Sequence, residues 1–284
     1  MRGSTASGAK VLARVIAAVL MAAGLLTGVP ASITDSPKEP LEYVALGDSY
    51  SAGAGAGQAG KECGVSPFGF PARLDRNKKV ELTANPSCGG ATTADLFPGG
   101  GRPAQVLSLD LDTDLVTVVI GGNDIGFANI VASCSVKPGS SKCDAAVREA
   151  IRGVTMELPA KLATTFGAIR TAAPDAHVVV MGYPRLLSPH FGQSESASEG
   201  AVALNNGVEL LNAALESAAE SAGFQYLDVT GEFRNHGVGA PQPWIHPSGP
   251  ATFHPTAEGY KKGYMKAFKT EVRLNKLQQA TADD

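Results

Sequence analysis

Cysteine is scarce in this chain and never spaced as C-x-x-C: Cys63, Cys88, Cys134 and Cys143 are the whole set. That spacing disfavours a four-cysteine zinc site. Basic residues form no run, which removes the usual footprint for nucleic acid or an anionic membrane surface. Neither an internal repeat nor a Pro/Ser/Gly linker follows residue 45, so the chain beyond its leader is expected to form one domain. A long apolar run occurs once, near the N-terminus. There Arg2, Lys10 and Arg14 precede "VIAAVLMAAGLLTGV", and "VPA" ends at Ala31 as a small-residue cleavage site would. The run is shorter than the ~20 residues of a bilayer span. Residues 1–31 are therefore expected to be a signal peptide, and residues 32–284 an exported domain without a stable membrane anchor.

What remains is mildly acidic. Of 24 Lys and Arg, three lie in the leader, so 21 face 27 Asp and Glu, a formal charge of −6. Four cysteines in an exported chain point to disulfides. Cys134 and Cys143 bracket the turn-rich "SVKPGSSK" and are expected to pair, leaving Cys63 with Cys88. Short, β-branched segments at 42–46, 80–84, 115–120, 177–182 and 224–229 alternate with helix-like stretches. Such alternation predicts parallel βαβ units, here an α/β fold with five strands. Leu204, Val208, Leu211 and Leu215 make one apolar stripe on a long helix, and Tyr260, Tyr264 and Phe268 make another. Both stripes read as core-facing. The polar end, "RLNKLQQATADD", is expected to fray.

The unusual residues fall directly after strands. "GDSYSAG" follows the first, "SCGGATTADL" the second and "GGNDIGF" the third, while the loop after the fifth carries His246 and His254. Open α/β sheets bind ligands at the carboxyl ends of their strands, so these segments are expected at one edge. Ser49 stands among small neighbours that leave its hydroxyl accessible, although the elbow pattern G-x-S-x-G is absent. "GAGQAG" at 55–60 fits G-x-G-x-x-G but opens no helix, and reads as a flexible loop bordering the site. Pro255 suits a first helical position, which would set His254 at the N-terminus of a helix beginning "PTAEGYKKG". The positive end of that helix would favour a neutral imidazole.

"GDSY", the glycine of "CGGATT", "GGND" and "FHPTAEGY", in this order and spanning nearly the whole exported chain, resemble the SGNH hydrolases, also called the GDSL lipase/esterase family. Secreted actinobacterial lipases and esterases of that family look most similar. The resemblance implies a three-layer, flavodoxin-like α/β/α sandwich around a five-stranded parallel sheet. It implies Ser49 as nucleophile, His254 as general base and acid, and an oxyanion hole of the Ser49 and Gly90 N–H groups with the Asn123 side chain. Gly89 stands beside Gly90 and either can face the site, while Asn123–Asp124 can alternatively begin a helix with Asp124 as its cap. The family's usual aspartate, three residues before the histidine, is Ala251 here. A carbonyl of Ala251 or Thr252 would then orient the imidazole, or else a distant carboxylate such as Asp228 or Glu232. The implied enzyme is a secreted, monomeric serine esterase or lipase of the extracellular space or cell envelope, needing no cofactor or metal and acting on small-molecule ester or lipid substrates. The alternatives are a carbohydrate (acetyl) esterase, for which Trp244 offers a stacking surface, and a silent binding module of the same fold.

Overall fold

A computed structural model of the chain describes residues 38–134, 137, 139–188 and 195–283. The signal peptide expected over residues 1–31 and His190 lie outside the described residues. Five strands form one parallel sheet: β1 (Leu41–Gly47), β2 (Val80–Ala84), β3 (Leu115–Val119), β4 (His177–Met181) and β5 (Gln225–Leu227). Each overlaps its predicted segment, and β5 is the most shortened. The helices, in chain order, are α1 (Ser49–Ala52), α2 (Phe70–Leu74), α3 (Phe127–Cys134), α4 (Ser141–Met156), α5 (Leu158–Ala172), α6 (Glu195–Ser221), α7 (Thr230–Phe233), α8 (Met265–Glu271) and α9 (Leu274–Asp283). A π-helical stretch, Gly259–Tyr264, leads into α8.

Every residue of β3 is buried, as expected of a central parallel strand covered on both faces. α4 begins where the Ser140 hydroxyl accepts the Cys143 N–H, and it buries Cys143, Ala146, Val147, Ala150 and Val154 along one stripe. α3, α4, α5 and α6 pack against one another, and α2 packs separately against the π stretch and α8, giving the α/β/α sandwich. Tyr260, Tyr264 and Phe268 are fully buried, as is Leu215 of α6. Both disulfides join the expected partners, Cys63 to Cys88 and Cys134 to Cys143.

Two local expectations fail. Most of the C-terminal dozen does not fray: Leu274–Asp283 form α9, because Leu277 packs against the core and the buried Gln278 donates from Nε2 to Glu39 O at 2.9 Å. Pro255 does not open a helix. It bridges to Ile245 as extended backbone, and the helical turn starts at residue 257.

The strand order is β2-β1-β3-β4-β5. The chain therefore reverses its direction of travel across the sheet between β1 and β3, so the loops after these two strands diverge and leave a crevice at their carboxyl ends. Ser49 follows β1 and Asn123 follows β3.

Candidate active site

The turn carrying Ser49 is made possible by Gly47. At φ +125°, with Val119 O only 2.1 Å from where a Cβ would stand, no other residue fits. The buried Gln105 side chain pairs with both backbone groups of Gly47, accepting its N–H at 2.6 Å and donating to its carbonyl at 2.9 Å. Asp48 then caps α1 by accepting the Tyr50 N–H at 2.8 Å. Ser49 thus occupies the first helical position with 8% of its surface exposed. Its own N–H has no protein acceptor among the described residues.

The second segment is a short antiparallel excursion. The His246 N–H donates to His254 O and the Phe253 N–H returns to His246 O, each at 2.9 Å, while the Thr256 N–H reaches Trp244 O at 2.7 Å. These bonds hold 254–256 extended, which is why Pro255 cannot begin a helix. Phe253 between them sits at φ +64°, a strained conformation for a bulky side chain. The Tyr50 hydroxyl donates to Phe253 O at 2.6 Å, so the residue after Ser49 fixes the residue before His254.

Those constraints bring His254 Nε2 to 2.8 Å from Ser49 Oγ. On the other side of the ring, Nδ1 lies 3.1 Å from Thr252 O. A carbonyl only accepts, so Nδ1 carries the proton and Nε2 is left to accept from the serine hydroxyl. Burial lowers the His254 pKa below its ordinary value, against the opposing pull of the Thr252 and Ala251 carbonyls. Among the described residues no carboxylate hydrogen-bonds the ring: Asp228 binds the Thr230 N–H and hydroxyl at 2.7 and 2.9 Å, and Glu232 pairs with Lys266 at 2.7 Å. His246 instead meets Gly55 O through Nε2 at 2.9 Å, tethering the glycine-rich loop beside the site. His177 binds Gln225 across β4 and β5, and His236 stacks on Trp244 with ring centroids 3.4 Å apart.

The loops after β2 and β3 supply donors. The Gly89 N–H is engaged by Cys63 O at 2.9 Å, whereas the Gly90 N–H has no protein acceptor among the described residues. Gly90 has φ +76°, a backbone turn that side chains resist. Asn123 donates from Nδ2 to Ala91 O at 2.9 Å, which ties its side chain to the Gly90 loop. Asp124 caps no helix. It accepts from the Thr93 N–H and hydroxyl at 2.9 and 2.6 Å and faces Lys161 at 3.7 Å, joining the β2 and β3 loops.

One contributor has no motif in the sequence. The Tyr183 hydroxyl, just beyond β4, donates to Asp48 Oδ2 at 2.5 Å and accepts the Gly122 N–H at 3.1 Å. It therefore clamps the neighbour of Ser49 to the neighbour of Asn123. Burial pushes the Asp48 carboxyl up to about 7, held down in part by the Tyr183 hydroxyl and the Tyr50 N–H. The only signal for Tyr183 was its position after a strand, at the edge where the other loops converge. Among the described residues no three His, Cys, Asp or Glu side chains gather as a metal site, and no helix is long and apolar enough to cross a membrane.

A parallel sheet with a hydrogen-bonded serine and imidazole at its carboxyl edge, and amide donors alongside, is the layout of a serine hydrolase. Residues 45–262 match the GDSL-like Lipase/Acylhydrolase family. A lipase of Streptomyces rimosus is 35% identical over 88% of this chain and 93% of its own length, and lipase 1 of Streptomyces coelicolor is 36% identical over 87% and 92%. Among solved structures, the extracellular lipase of Streptomyces rimosus superposes with a TM-score of 0.74 at 34% identity, over 81% of this chain and 99% of that one. Phospholipase A1 of Streptomyces albidoflavus NA297 gives 0.73 at 32% identity, over 82% and 100%. The chain belongs to the GDSL-like lipase/acylhydrolase family. It is a carboxylic ester hydrolase.

Proposed function

We propose that Ser49 attacks the ester carbonyl, that His254 takes its proton and returns it to the leaving alcohol, and that water then repeats the sequence on the acyl-enzyme. The observation carrying this reading is the 2.8 Å contact from Ser49 Oγ to His254 Nε2, with a backbone carbonyl behind Nδ1. The Ser49 and Gly90 N–H groups and Asn123 Nδ2 form the oxyanion hole. Their support is that the two amides lack protein acceptors among the described residues and that Asn123 is anchored one residue from Gly90.

Asn123→Ala is expected to lower kcat by about 10²–10³-fold with a small change in KM, as loss of one oxyanion donor does. Steady-state kinetics on a soluble ester check it, and an unchanged kcat would remove Asn123 from the hole. A Ser–His dyad held by Thr252 O predicts that Asp228→Asn stays within a few-fold of the parent, since among the described residues Asp228 bonds Thr230 alone. A fall of several orders of magnitude in folded protein would make Asp228 a hidden third member.

Residues 1–31 act as a signal peptide and residues 32–284 form one exported, monomeric domain; the two disulfides support export. Esters of fatty acids are the substrate class. The sugar-stacking alternative loses support because one face of Trp244 is already covered by His236 and its edge meets Phe233.

A further inference from the structure

The loop after β2 carries a cation that the mechanism proposed above does not use. Gly100 backs onto the 3-10 turn Thr93–Leu96, where a Cβ would stand 2.5 Å from Ala94 O, and this close approach seats the neighbouring residues against that turn. Arg102 then reaches back over Gly90. A Cβ at Gly90 would lie 3.0 Å from Arg102 Nη2 and 3.9 Å from its Cζ. The guanidinium thus lies beside the residue whose N–H has no protein acceptor among the described residues.

Most of that guanidinium is uncommitted. Nη1 meets Asp95 Oδ2 at 3.4 Å, a single long contact, and among the described residues Nη2 and Nε donate to no protein group. Asp95 Oδ2 already accepts the Thr92 N–H at 2.8 Å and hydroxyl at 2.9 Å, while the buried Oδ1 has no partner among the described residues. An arginine placed to serve Asp95 would pair both oxygens with its fork. Here Oδ1 is left bare and Nη2 lies at Gly90 instead. Lys161, the cation beside Asn123–Asp124, stands 3.7 Å from both Asp124 and Glu157 and is neutralised between them. Arg102 keeps a cationic face open, with 36% of its side chain exposed.

That exposure decides between two roles. A charge open to water is screened, so it adds little to an oxyanion that the amide donors already hold. It is well placed to meet a charge that the substrate brings, because a planar guanidinium binds phosphate or carboxylate through two parallel N–H bonds. With a fatty acid as the acyl part, that charge belongs to the alcohol. We infer that Arg102 is an anion-recognising residue at the lip of the active site, raising kcat/KM for esters whose alcohol part carries an oxyanion group, phosphate or carboxylate. This rests on Ser49 and His254 being the reacting pair.

The test compares matched esters in two arms, with acid release followed in a pH-stat. The phosphate arm sets monobutyryl glycerol phosphate against monobutyryl glycerol, and the carboxylate arm sets butyryl glycolate against propyl butyrate. In each arm the anionic-to-neutral ratio of kcat/KM is measured for the parent protein, Arg102→Gln and Arg102→Lys. In at least one arm Arg102→Gln lowers the ratio about tenfold, the size of one charge-assisted hydrogen bond, and does so through KM. Arg102→Lys, which keeps the charge and loses the fork, falls between, and serves if the glutamine variant does not fold. Added salt lowers the ratio in the parent more than in Arg102→Gln. The arm that responds tells which anion is read. A ratio unchanged in both arms for a folded variant, including the case where both esters slow alike as a merely structural role requires, would overturn the assignment. Fluorophosphonate labelling keeps the two claims apart: an adduct on a serine other than Ser49 overturns the reacting pair and the role of Arg102 together, whereas unchanged ratios with Ser49 labelled overturn the role of Arg102 alone.

Discussion

Ser49→Ala is expected to lower ester hydrolysis by on the order of 10⁴–10⁶-fold while leaving the melting temperature nearly unchanged. The rate falls because among the described residues no other hydroxyl is brought to His254: its Nε2 has Ser49 Oγ at 2.8 Å, and its Nδ1 is occupied by Thr252 O. Stability is preserved because the turn does not depend on the hydroxyl. Gly47, Gln105 and the Asp48 cap hold the backbone through groups the substitution leaves in place. Some acceleration over water should survive in the variant, since the proposed oxyanion donors remain in place. Steady-state kinetics paired with thermal melts check both halves. Loss of activity accompanied by unfolding would speak only to structure, whereas activity retained in the folded variant would remove Ser49 as nucleophile.

His254→Ala should cost about as much as Ser49→Ala, and the double variant little more than either, because the two side chains act as one unit. In the parent protein the proposed general base, the same imidazole, is expected to govern the acid side of the pH profile. Its pKa is lowered by burial, so it is neutral and able to accept a proton at pH 7. Activity should therefore fall only as pH drops below the ordinary histidine range, with the acid limb of kcat/KM centred below about 6.5. Asp48, with its carboxyl pushed up to about 7, lies behind the serine turn, and Asp48→Asn distinguishes its contribution from that of the imidazole. An acid limb centred well above 6.5 that persists in Asp48→Asn would contradict a desolvated His254.

The parts legible in the sequence were those whose chemistry is local. Buried strands announce themselves through β-branched runs, and "GDSY" and "GGND" lie directly after strands whose ends converge in any open parallel sheet. The resemblance of "FHPTAEGY" points to His254 over His246; His254 Nε2 lies 2.8 Å from Ser49 Oγ, and His246 Nε2 meets Gly55 O. Contacts created only by tertiary structure were not legible. Pro255 looked like a helix opener because the bridge to Ile245 is invisible in its neighbours. Tyr183 is a lone aromatic until strand order brings β4 beside β3 and sets its hydroxyl between Asp48 and Gly122. α9 is not legible in the sequence because an apolar pair within a polar stretch gives a weak periodic signal, while the Gln278 bond to Glu39 is long-range.

The proposed mechanism turns on the identity of the atom that becomes acylated. An alkyl fluorophosphonate reports it directly: the attacking oxygen bonds to phosphorus, fluoride leaves, and the serine proton passes to the imidazole. Digestion and tandem mass spectrometry of the inactivated protein should find a single phosphonyl adduct, on Ser49, with none in His254→Ala over the same time. An adduct on a different serine, or full inactivation with Ser49 unmodified, would contradict it.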